Sequence, residues 1–194
     1  MARSTFRHWR RPPTFNLRRL NLQRTEIPGC VVVRPERHAD ARGYFARTWD
    51  GEVLRAAGVD DRIAQCSTSF NHAAGTLRGM HYQAAPHGES KLVRCTRGSV
   101  FDVCLDLRPD SETYRQWHGE TLSADNGVAL VVPEGCAHGF LTLEDASEVF
   151  YTISAPYVPE AGRGVRYDDP AFGIVWPAEV RVIHPRDAGY PLVG

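Results

Sequence analysis

The sequence lacks several features that would place it in a specialised class of protein. Its 194 residues contain no apolar run near the roughly 20 residues that cross a bilayer. Lys+Arg and Asp+Glu are balanced at 23 each, so the net charge gives no reason to expect nucleic acid or an acidic membrane as partner. No internal repeat is visible, and the length suits one domain whose core needs no disulfide or metal. We expect one globular domain with neither a membrane nor a nucleic acid partner.

The five cysteines form no paired motif. Cys30, Cys66, Cys95, Cys104 and Cys136 are odd in number, and no two have the CxxC spacing. Cys104 lies in an apolar-rich run, and Cys66 and Cys95 lie in strand-like stretches. We interpret them as small core residues rather than as ligands or a nucleophile. Unpaired thiols of this kind indicate a reducing cytoplasm.

Residues 1–20 differ in composition from the remainder. They contain six arginines, no acidic residue and a Pro12-Pro13 break. No apolar segment follows the charges, so this stretch is not a secretory signal. We expect a disordered extension or an upstream start codon, and the alternative is a basic arm that contacts RNA or a partner. Residues 21–194 are then the folded domain.

From about residue 26 the pattern is one of short strands separated by turns. Residues 91–106 alternate apolar and polar on each side of Gly98, which predicts a hairpin with one buried face. Residues 50–57 are the one plausible helix before the C-terminal tail. Three further stretches predict strands: 31–33, 128–132 and 148–153. Many short strands at this spacing favour a β-sandwich or a closed barrel.

The segment GTLRGMHYQ, residues 75–83, contains a candidate catalytic histidine. Strand alternation would direct Gly79 and His81 to the same face, and Gly79 would leave space for a ligand beside His81. Lys91 begins the next strand ten residues later, and a barrel can direct both groups into one cavity. The alternative for His81 is a hydrogen-bonded structural histidine.

Residues 125–140 match the second motif of cupin barrels. Gly127, Pro133, Gly135 and His138 have the spacing of a strand, a tight Pro-x-Gly turn and a second strand whose histidine points into the barrel. The motif indicates the barrel but not its chemistry, because cupins support many reactions.

A metal site is the obvious alternative for a cupin. Metal-binding cupins offer two histidines one residue apart before the second motif, but here that stretch is His81-Tyr82-Gln83. Lys91 also adds a positive charge that disfavours a divalent cation. We therefore expect no metal.

These stretches together resemble the dTDP-4-dehydrorhamnose 3,5-epimerase family, from about Arg24 to Asp187. The matching blocks are RTEIPG (24–29), DARGYF (40–45), GTLRGMHYQ (75–83), KLVRCTRGSVFDVCLDLR (91–108), VPEGCAHGFL (132–141), YDDPAFGIVWP (167–177) and HPRD (184–187). The resemblance implies an all-β cupin jelly-roll barrel with short peripheral helices, usually a homodimer.

The resemblance also implies a mechanism on a dTDP-sugar with a ketone at C4. His81 matches the base that removes an acidified C3 or C5 proton, and Asp187 matches the carboxylate paired with it. Lys91 matches the cation beside the C4 oxygen, and Tyr151 matches the acid on the opposite face of the sugar. This scheme requires no cofactor.

The substrate-binding residues carry over from the same resemblance. Arg42 and Arg78 match partners of diphosphate oxygens, a role that suits a planar guanidinium. Phe45 matches an aromatic that contacts base or sugar. Three further residues match positions that face substrate or nucleotide: Gln65, His138 and Tyr157. Ser67 is at a substrate-binding position where the family often has asparagine.

The departures from the family pattern leave alternatives open. Thr152 follows Tyr151 where the family often has lysine, and the stretch before residue 75 is one residue longer. The sugar, and the choice of C3, C5 or both, therefore stay open. The alternatives are a single-site epimerase or ketoisomerase on a related deoxysugar nucleotide, a non-catalytic sugar-nucleotide-binding cupin, and a metal cupin.

Overall fold

The structure, a computed structural model, describes residues 20–193 of the chain. The predicted basic extension lies outside this range except for its last residue, Leu20, which begins the first strand. The strands are β1 (Leu20–Arg24), β2 (Val31–Pro35), β3 (Arg37–Asp40), β4 (Gly43–Ala46), β5 (Gln65–Asn71), β6 (Thr76–Gln83), β7 (Lys91–Arg97), β8 (Ser99–Asp106), β9 (Trp117–Ser123), β10 (Ala129–Val132), β11 (Cys136–Thr142), β12 (Ser147–Ile153), β13 (Gly162–Gly164) and β14 (Val182–Ile183). The helices are α1 (Gly51–Ala56), α2 (Pro185–Ala188) and a 3₁₀ turn at Pro159–Ala161.

Two sheets form the barrel. The first has the order β1-β2-β10-β7-β12-β5, and the second has the order β13-β6-β11-β8-β9 with β14 paired to β6. All strand pairs are antiparallel except β14–β6. A separate two-stranded hairpin joins β3 and β4. The predicted all-β jelly roll is confirmed.

The core between the sheets consists of inward-facing side chains from both. Val93 of β7 and Val149 of β12 come from the first sheet, and Cys104 of β8 and Phe140 of β11 come from the second. Alternation places every second residue of each strand in this layer. On the same inward rows, Lys91 lies two residues from Val93 and His138 two residues from Phe140. The core strands therefore also position the polar side chains of the cavity.

The outer faces of both sheets are partly covered. Helix α1 lies on the first sheet through Leu54, and the Asp50 side chain caps the helix by accepting a hydrogen bond from the Val53 amide. The predicted helix at 50–57 is thereby confirmed. The outer face of the second sheet packs against Val165 and Phe172 of the C-terminal segment. Within the described residues, no helix has the length and apolarity to span a bilayer.

The predicted hairpin around Gly98 is wrong, although both strands are present. β7 pairs with β10 and β12 in the first sheet, whereas β8 pairs with β11 and β9 in the second. Gly98 has φ +72°, and a Cβ there would lie 2.5 Å from Ser147 Oγ, so the chain turns a tight corner between the sheets. β8 is also buried on both faces. Alternation predicts strands, but it does not reveal their partners.

The predicted burial of the cysteines holds for four of the five. Cys30, Cys95, Cys104 and Cys136 are buried and unpaired, but Cys66 is exposed. Cys66 lies on β5, the edge strand of the first sheet. Within the described residues its side chain is exposed at this edge, so the prediction for Cys66 is wrong.

Candidate active site

A bulge on β6 brings Arg78 and His81 to the same side of their strand. His81 is opposite His138 of β11, but Arg78 is opposite Phe140, so three residues on β6 span two on β11. The extra residue reverses the alternation. Both side chains therefore share the inward face with His138, and Met80 packs on the outer face instead.

Gly79 does not have the predicted role of leaving space for a ligand. It has φ +144°, and a Cβ there would lie 2.5 Å from the Gly139 Cα. The space beside Gly79 is occupied by the neighbouring strand. Glycine is required at this position for the bulge and for the close approach of β11.

His81 and Asp187 form a hydrogen-bonded pair, as the resemblance implied. His81 Nε2 lies 2.9 Å from Asp187 Oδ1, and the Gly79 amide donates to Asp187 Oδ2 at 3.4 Å. Asp187 is 2% exposed and lies on α2, whose N-terminal Pro185 suits the first helical turn. When Nε2 donates to the carboxylate, Nδ1 of the neutral ring is left with a free lone pair. His81 can then act as a base through Nδ1.

The surroundings of His81 favour its neutral form. Burial lowers the pKa of His81 below its ordinary value, and the hydrogen bond to Asp187 opposes this effect. The charges of Arg186 and Lys91 lower the pKa further. Burial would raise the pKa of Asp187, but its bonds to His81 and Arg186 bring it below its usual value. At neutral pH the pair is an imidazole beside a carboxylate.

Arg186 is a member of the site that residue-level reasoning missed. Its Nε donates to Asp187 Oδ1 at 3.0 Å, and its Nη2 lies 3.2 Å from His81 Nε2. The Asp187 bond raises the pKa of Arg186. The Tyr190 ring also lies edge-on to His81, with centroids 6.3 Å apart. The adjacency of Arg186 to Asp187 in HPRD was a usable signal.

Tyr151 enters the cavity from the opposite sheet. It lies on β12 and packs on the interior core, and its ring meets the His138 ring edge-on at 5.9 Å. Burial raises the pKa of Tyr151 well above its usual value, and the charge of Asp102 adds to this effect. Ser69 and Arg78 act in the opposite direction. The phenol keeps its proton at neutral pH and can donate it.

A second histidine–carboxylate pair lies between these two groups. His138 Nε2 is 2.8 Å from Asp102 Oδ1, and Asp102 is fully buried. Asp102 Oδ2 is also buried and has no hydrogen-bond partner within residues 20–193. His138 therefore faces the cavity as expected from its motif. Asp102 was not predicted, because nothing in its apolar surroundings marks it.

Lys91 approaches His81 from the first sheet, where it begins β7 opposite Val132 and Ile153, and its charge acts on the His81 ring. Its Nζ lies 2.7 Å from Glu89 Oε1. Glu89 was not predicted, although its two-residue spacing from Lys91 places it on the same side of an extended segment.

The remaining predicted binding residues divide into two groups. Four lie at the cavity or its mouth: Arg78, Gln65, Ser67 and Tyr157. Arg78 Nε donates to Asn71 Oδ1 at 2.7 Å, and Ser67 is the strand partner of Tyr151. Gln65 Oε1 accepts from the Tyr157 amide at 3.0 Å, and the Tyr157 side chain is exposed.

Arg42 and Phe45 are not brought to this cavity. Both belong to the exposed β3–β4 hairpin, where the Arg42 side chain is 90% exposed and paired with Asp40. Phe45 and Tyr44 line a separate cleft of about 370 Å³ with Arg37. The DARGYF motif therefore lies apart from the His81 cavity of its own chain.

Metal binding finds no support in the donor set of the described residues. No group of three or more histidine, cysteine or acidic side chains is arranged around a common point there. His81 and His138 each bind a carboxylate of their own through Nε2.

Comparisons with known proteins identify the relatives of this site. A family model described as dTDP-4-dehydrorhamnose 3,5-epimerase matches residues 24–193. The chain is 41% identical over 170 residues to the dTDP-4-dehydrorhamnose 3,5-epimerase of Sinorhizobium fredii, and the aligned residues make up 87% of each protein. The crystal structure of the enzyme of that name from Bacillus anthracis, with TDP and PPi bound, superposes with a TM-score of 0.87 at 35% identity, covering 90% of this chain and 100% of that one. ChmJ, a 3'-monoepimerase from Streptomyces bikiniensis in complex with dTDP-quinovose, has a TM-score of 0.80 at 32% identity, covering 86% and 85%.

Proposed function

The chain belongs to the dTDP-4-dehydrorhamnose 3,5-epimerase family, and we propose that it inverts C3 and C5 of a dTDP-linked 4-keto-6-deoxy sugar. This makes the protein an isomerase. The observation that carries the proposal is the placement of a base and an acid in one cavity. His81 lies on the second sheet and is paired with Asp187 of α2, Tyr151 lies on the first sheet, and the His138 ring lies between His81 and Tyr151.

In the first step His81 removes a proton from the carbon next to the ketone. The C–H electron pair becomes the C=C bond of an enolate, and negative charge collects on the C4 oxygen. The Asp187 carboxylate stabilises the imidazolium that forms. The Lys91 ammonium stabilises the oxyanion, where its charge is most effective because water is excluded.

In the second step Tyr151 returns a proton to the other face of the same carbon. Support comes from its burial and raised pKa, which keep the phenol protonated until a carbanion-like centre is beside it. Solvent then reprotonates the phenolate and removes the proton from His81. The cycle conserves protons and electrons, so it needs no redox cofactor.

Nucleotide binding is assigned to residues around the cavity. Arg78 offers a guanidinium to the diphosphate, and Tyr157 offers an exposed ring to the nucleotide at the mouth. Gln65, Ser67 and His138 hold the sugar. The exposure of Tyr157 and the hydrogen bond from its amide to Gln65 support this arrangement.

We further propose that the protein acts as a homodimer in which Arg42 and Phe45 serve the partner's site. Support comes from the β3–β4 hairpin, whose Tyr44 and Phe45 side chains are more than half exposed. Exposed aromatics of this kind are typical of interface anchors. A cytoplasmic location is proposed from the cysteines, which are all free.

Mixing two inactive variants tests the shared site. We expect Arg42→Ala and His81→Ala each to lose activity as pure dimers. After subunit exchange, a site in trans regains about a quarter of wild-type activity, because half the dimers are mixed and one of their two sites is intact. Absence of any recovery in verified mixed dimers would place Arg42 in the site of its own chain.

The function itself is tested by isotope exchange. The protein is incubated with dTDP-4-keto-6-deoxyglucose in deuterated buffer, and C3 and C5 are followed by proton NMR, with His81→Ala as the control. We expect deuterium at both carbons with the wild type and at neither with the variant. Folded wild type that leaves both carbons protonated would contradict the proposal.

Epimerisation at one carbon is the second candidate function. The similarity to ChmJ favours it, because a 3'-monoepimerase shares this fold over most of both chains. The same experiment separates the two candidates, since a single-site enzyme exchanges one carbon only.

A further inference from the structure

Glu89 forms a largely buried ion pair with Lys91. The carboxylate Oε1 lies 2.7 Å from Lys91 Nζ, and the two side chains are only 9% and 13% exposed. The other oxygen, Oε2, accepts a hydrogen bond from Gln83 Nε2 at 3.0 Å. Both carboxylate oxygens are therefore engaged, and the side chain has a fixed orientation.

Gln83 extends this network to the mouth of the cavity. It is buried on β6, two residues after His81, and its Oε1 accepts from the Val158 amide at 2.7 Å. Its Nε2 also donates to the Pro156 carbonyl at 3.2 Å. Glu89 thus connects Lys91 to the strand of the base and to the segment that carries Tyr157.

The pair has consequences for how Lys91 meets a substrate. A lysine side chain has four flexible bonds, and an ammonium without a partner loses its orientation readily. The carboxylate of Asp60, which lines a small gap beside Lys91, is held by Arg62 at 2.9 and 2.8 Å. Within residues 20–193, Glu89 is the carboxylate that forms an ion pair with the Lys91 ammonium, and this contact holds the ammonium in place.

We propose that Glu89 is a positioning residue for the reaction, which holds the Lys91 ammonium where the oxyanion at C4 develops. The inference rests on the proposed function. Glu89 acts through Lys91, so its effect depends on the lysine being present. It acts on the chemical step more than on nucleotide binding, because its carboxylate faces the lysine and Gln83.

A double-mutant cycle on the deuterium exchange rate tests this role. Glu89→Gln keeps the size of the side chain but has only one acceptor oxygen. Lys91 Nζ and Gln83 Nε2 each contact a separate carboxylate oxygen of Glu89 in the wild type. We expect kcat to fall roughly tenfold to a hundredfold with KM changed less than about threefold. In a Lys91→Met background, the same change should have almost no further effect. Glu112→Gln removes an exposed charge elsewhere and serves as the matched control.

Two results would overturn the role of Glu89 and leave the proposed function standing. The first is a wild-type kcat in Glu89→Gln. The second is a loss of kcat in the Lys91→Met background as large as the loss in the wild-type background. Wild type without exchange would overturn both. If Glu89→Gln fails to fold, Glu89→Asp retains the charge but withdraws it by one methylene, and the same cycle applies to it.

Discussion

Replacing Asp187 with asparagine removes the charge behind the base but keeps the size of the side chain. The carboxylate contacts His81 Nε2 at 2.9 Å and is 2% exposed, so little water can replace it. In the wild type, the hydrogen bond between His81 Nε2 and the Asp187 carboxylate becomes charge-assisted when His81 takes up a proton. The asparagine variant lacks this gain. The amide can also present its NH₂ to Nε2, which favours the tautomer whose Nδ1 carries the proton.

The size of the effect follows from these two losses. A charge-assisted hydrogen bond is worth about 1.5–3 kcal/mol, and the wrong tautomer adds to that. We expect a total of about 2–4 kcal/mol in the transition state, or roughly a 30- to 1000-fold lower kcat. Substrate KM should change little, because the charge appears on His81 only during proton transfer.

The pH dependence distinguishes this mechanism from simple misfolding. The base must be neutral, so the acid limb of kcat/KM against pH reports the pKa of His81. Asp187 raises that pKa, and Arg186 and Lys91 lower it. In Asp187→Asn the pKa therefore falls, and the acid limb moves to lower pH while the plateau drops.

The assay is deuterium exchange at C3 and C5, measured from pH 4.5 to 8 beside the thermal unfolding of each variant. Asp110→Asn, an exposed charge change in a turn, is the control and should match the wild type. A kcat within threefold of wild type, or an acid limb that moves to higher pH, would refute the reasoning.

The other predictions concern Arg186, the metal question and acid stability. Arg186→Gln removes a positive charge that lowers the His81 pKa, so the acid limb should move to higher pH; a limb that stays in place would contradict the contact. Dialysis against a chelator should leave the exchange rate unchanged, and elemental analysis should find no stoichiometric metal; one equivalent of retained iron, zinc or manganese would count against the mechanism. Burial would raise the pKa of Asp106, but bonds from Arg108, Ser111 and Thr113 hold it well below its usual range. The stabilising effect of the Asp106 carboxylate is thus present above about pH 4 and is lost on acidification. Asp106→Asn should lower the free energy of unfolding, measured with urea at pH 7, by about 3 kcal/mol, and the stability of the variant should fall less steeply below pH 4 than that of the wild type. A variant whose stability falls below pH 4 as steeply as that of the wild type would contradict this.

Sequence periodicity predicted the elements of the fold more accurately than their pairing. The alternation of apolar and polar residues within 91–106 predicted both strands, because such a pattern depends only on residues that are neighbours in the sequence. Their assignment to different sheets depends on partners more than twenty residues away, such as β10 and β11. A one-residue corner at Gly98 resembles a hairpin turn in sequence. Only the tertiary structure separates the two.

The site divides in a similar way. His81, Asp187, Lys91 and Tyr151 were assigned by resemblance, and the structure places all four around one cavity. The partners of these groups were missed, because they carry no motif of their own. Asp102 lies in an apolar strand, and Glu89 lies in a loop before one. The outward position of the DARGYF hairpin depends on chain packing that local patterns do not encode.

The central claim is that a base and an acid lie on opposite faces of the sugar, and Tyr151→Phe tests it most directly. The variant keeps the shape of the ring but has no proton to donate. Exchange and inversion are measured together, by NMR of C3 and C5 in deuterated buffer and by the stereochemistry of the product. We expect His81 still to exchange the protons from its own face, with inversion reduced at least a hundredfold. A variant that inverts the sugar at the wild-type rate would show that Tyr151 is not the acid and would contradict the account.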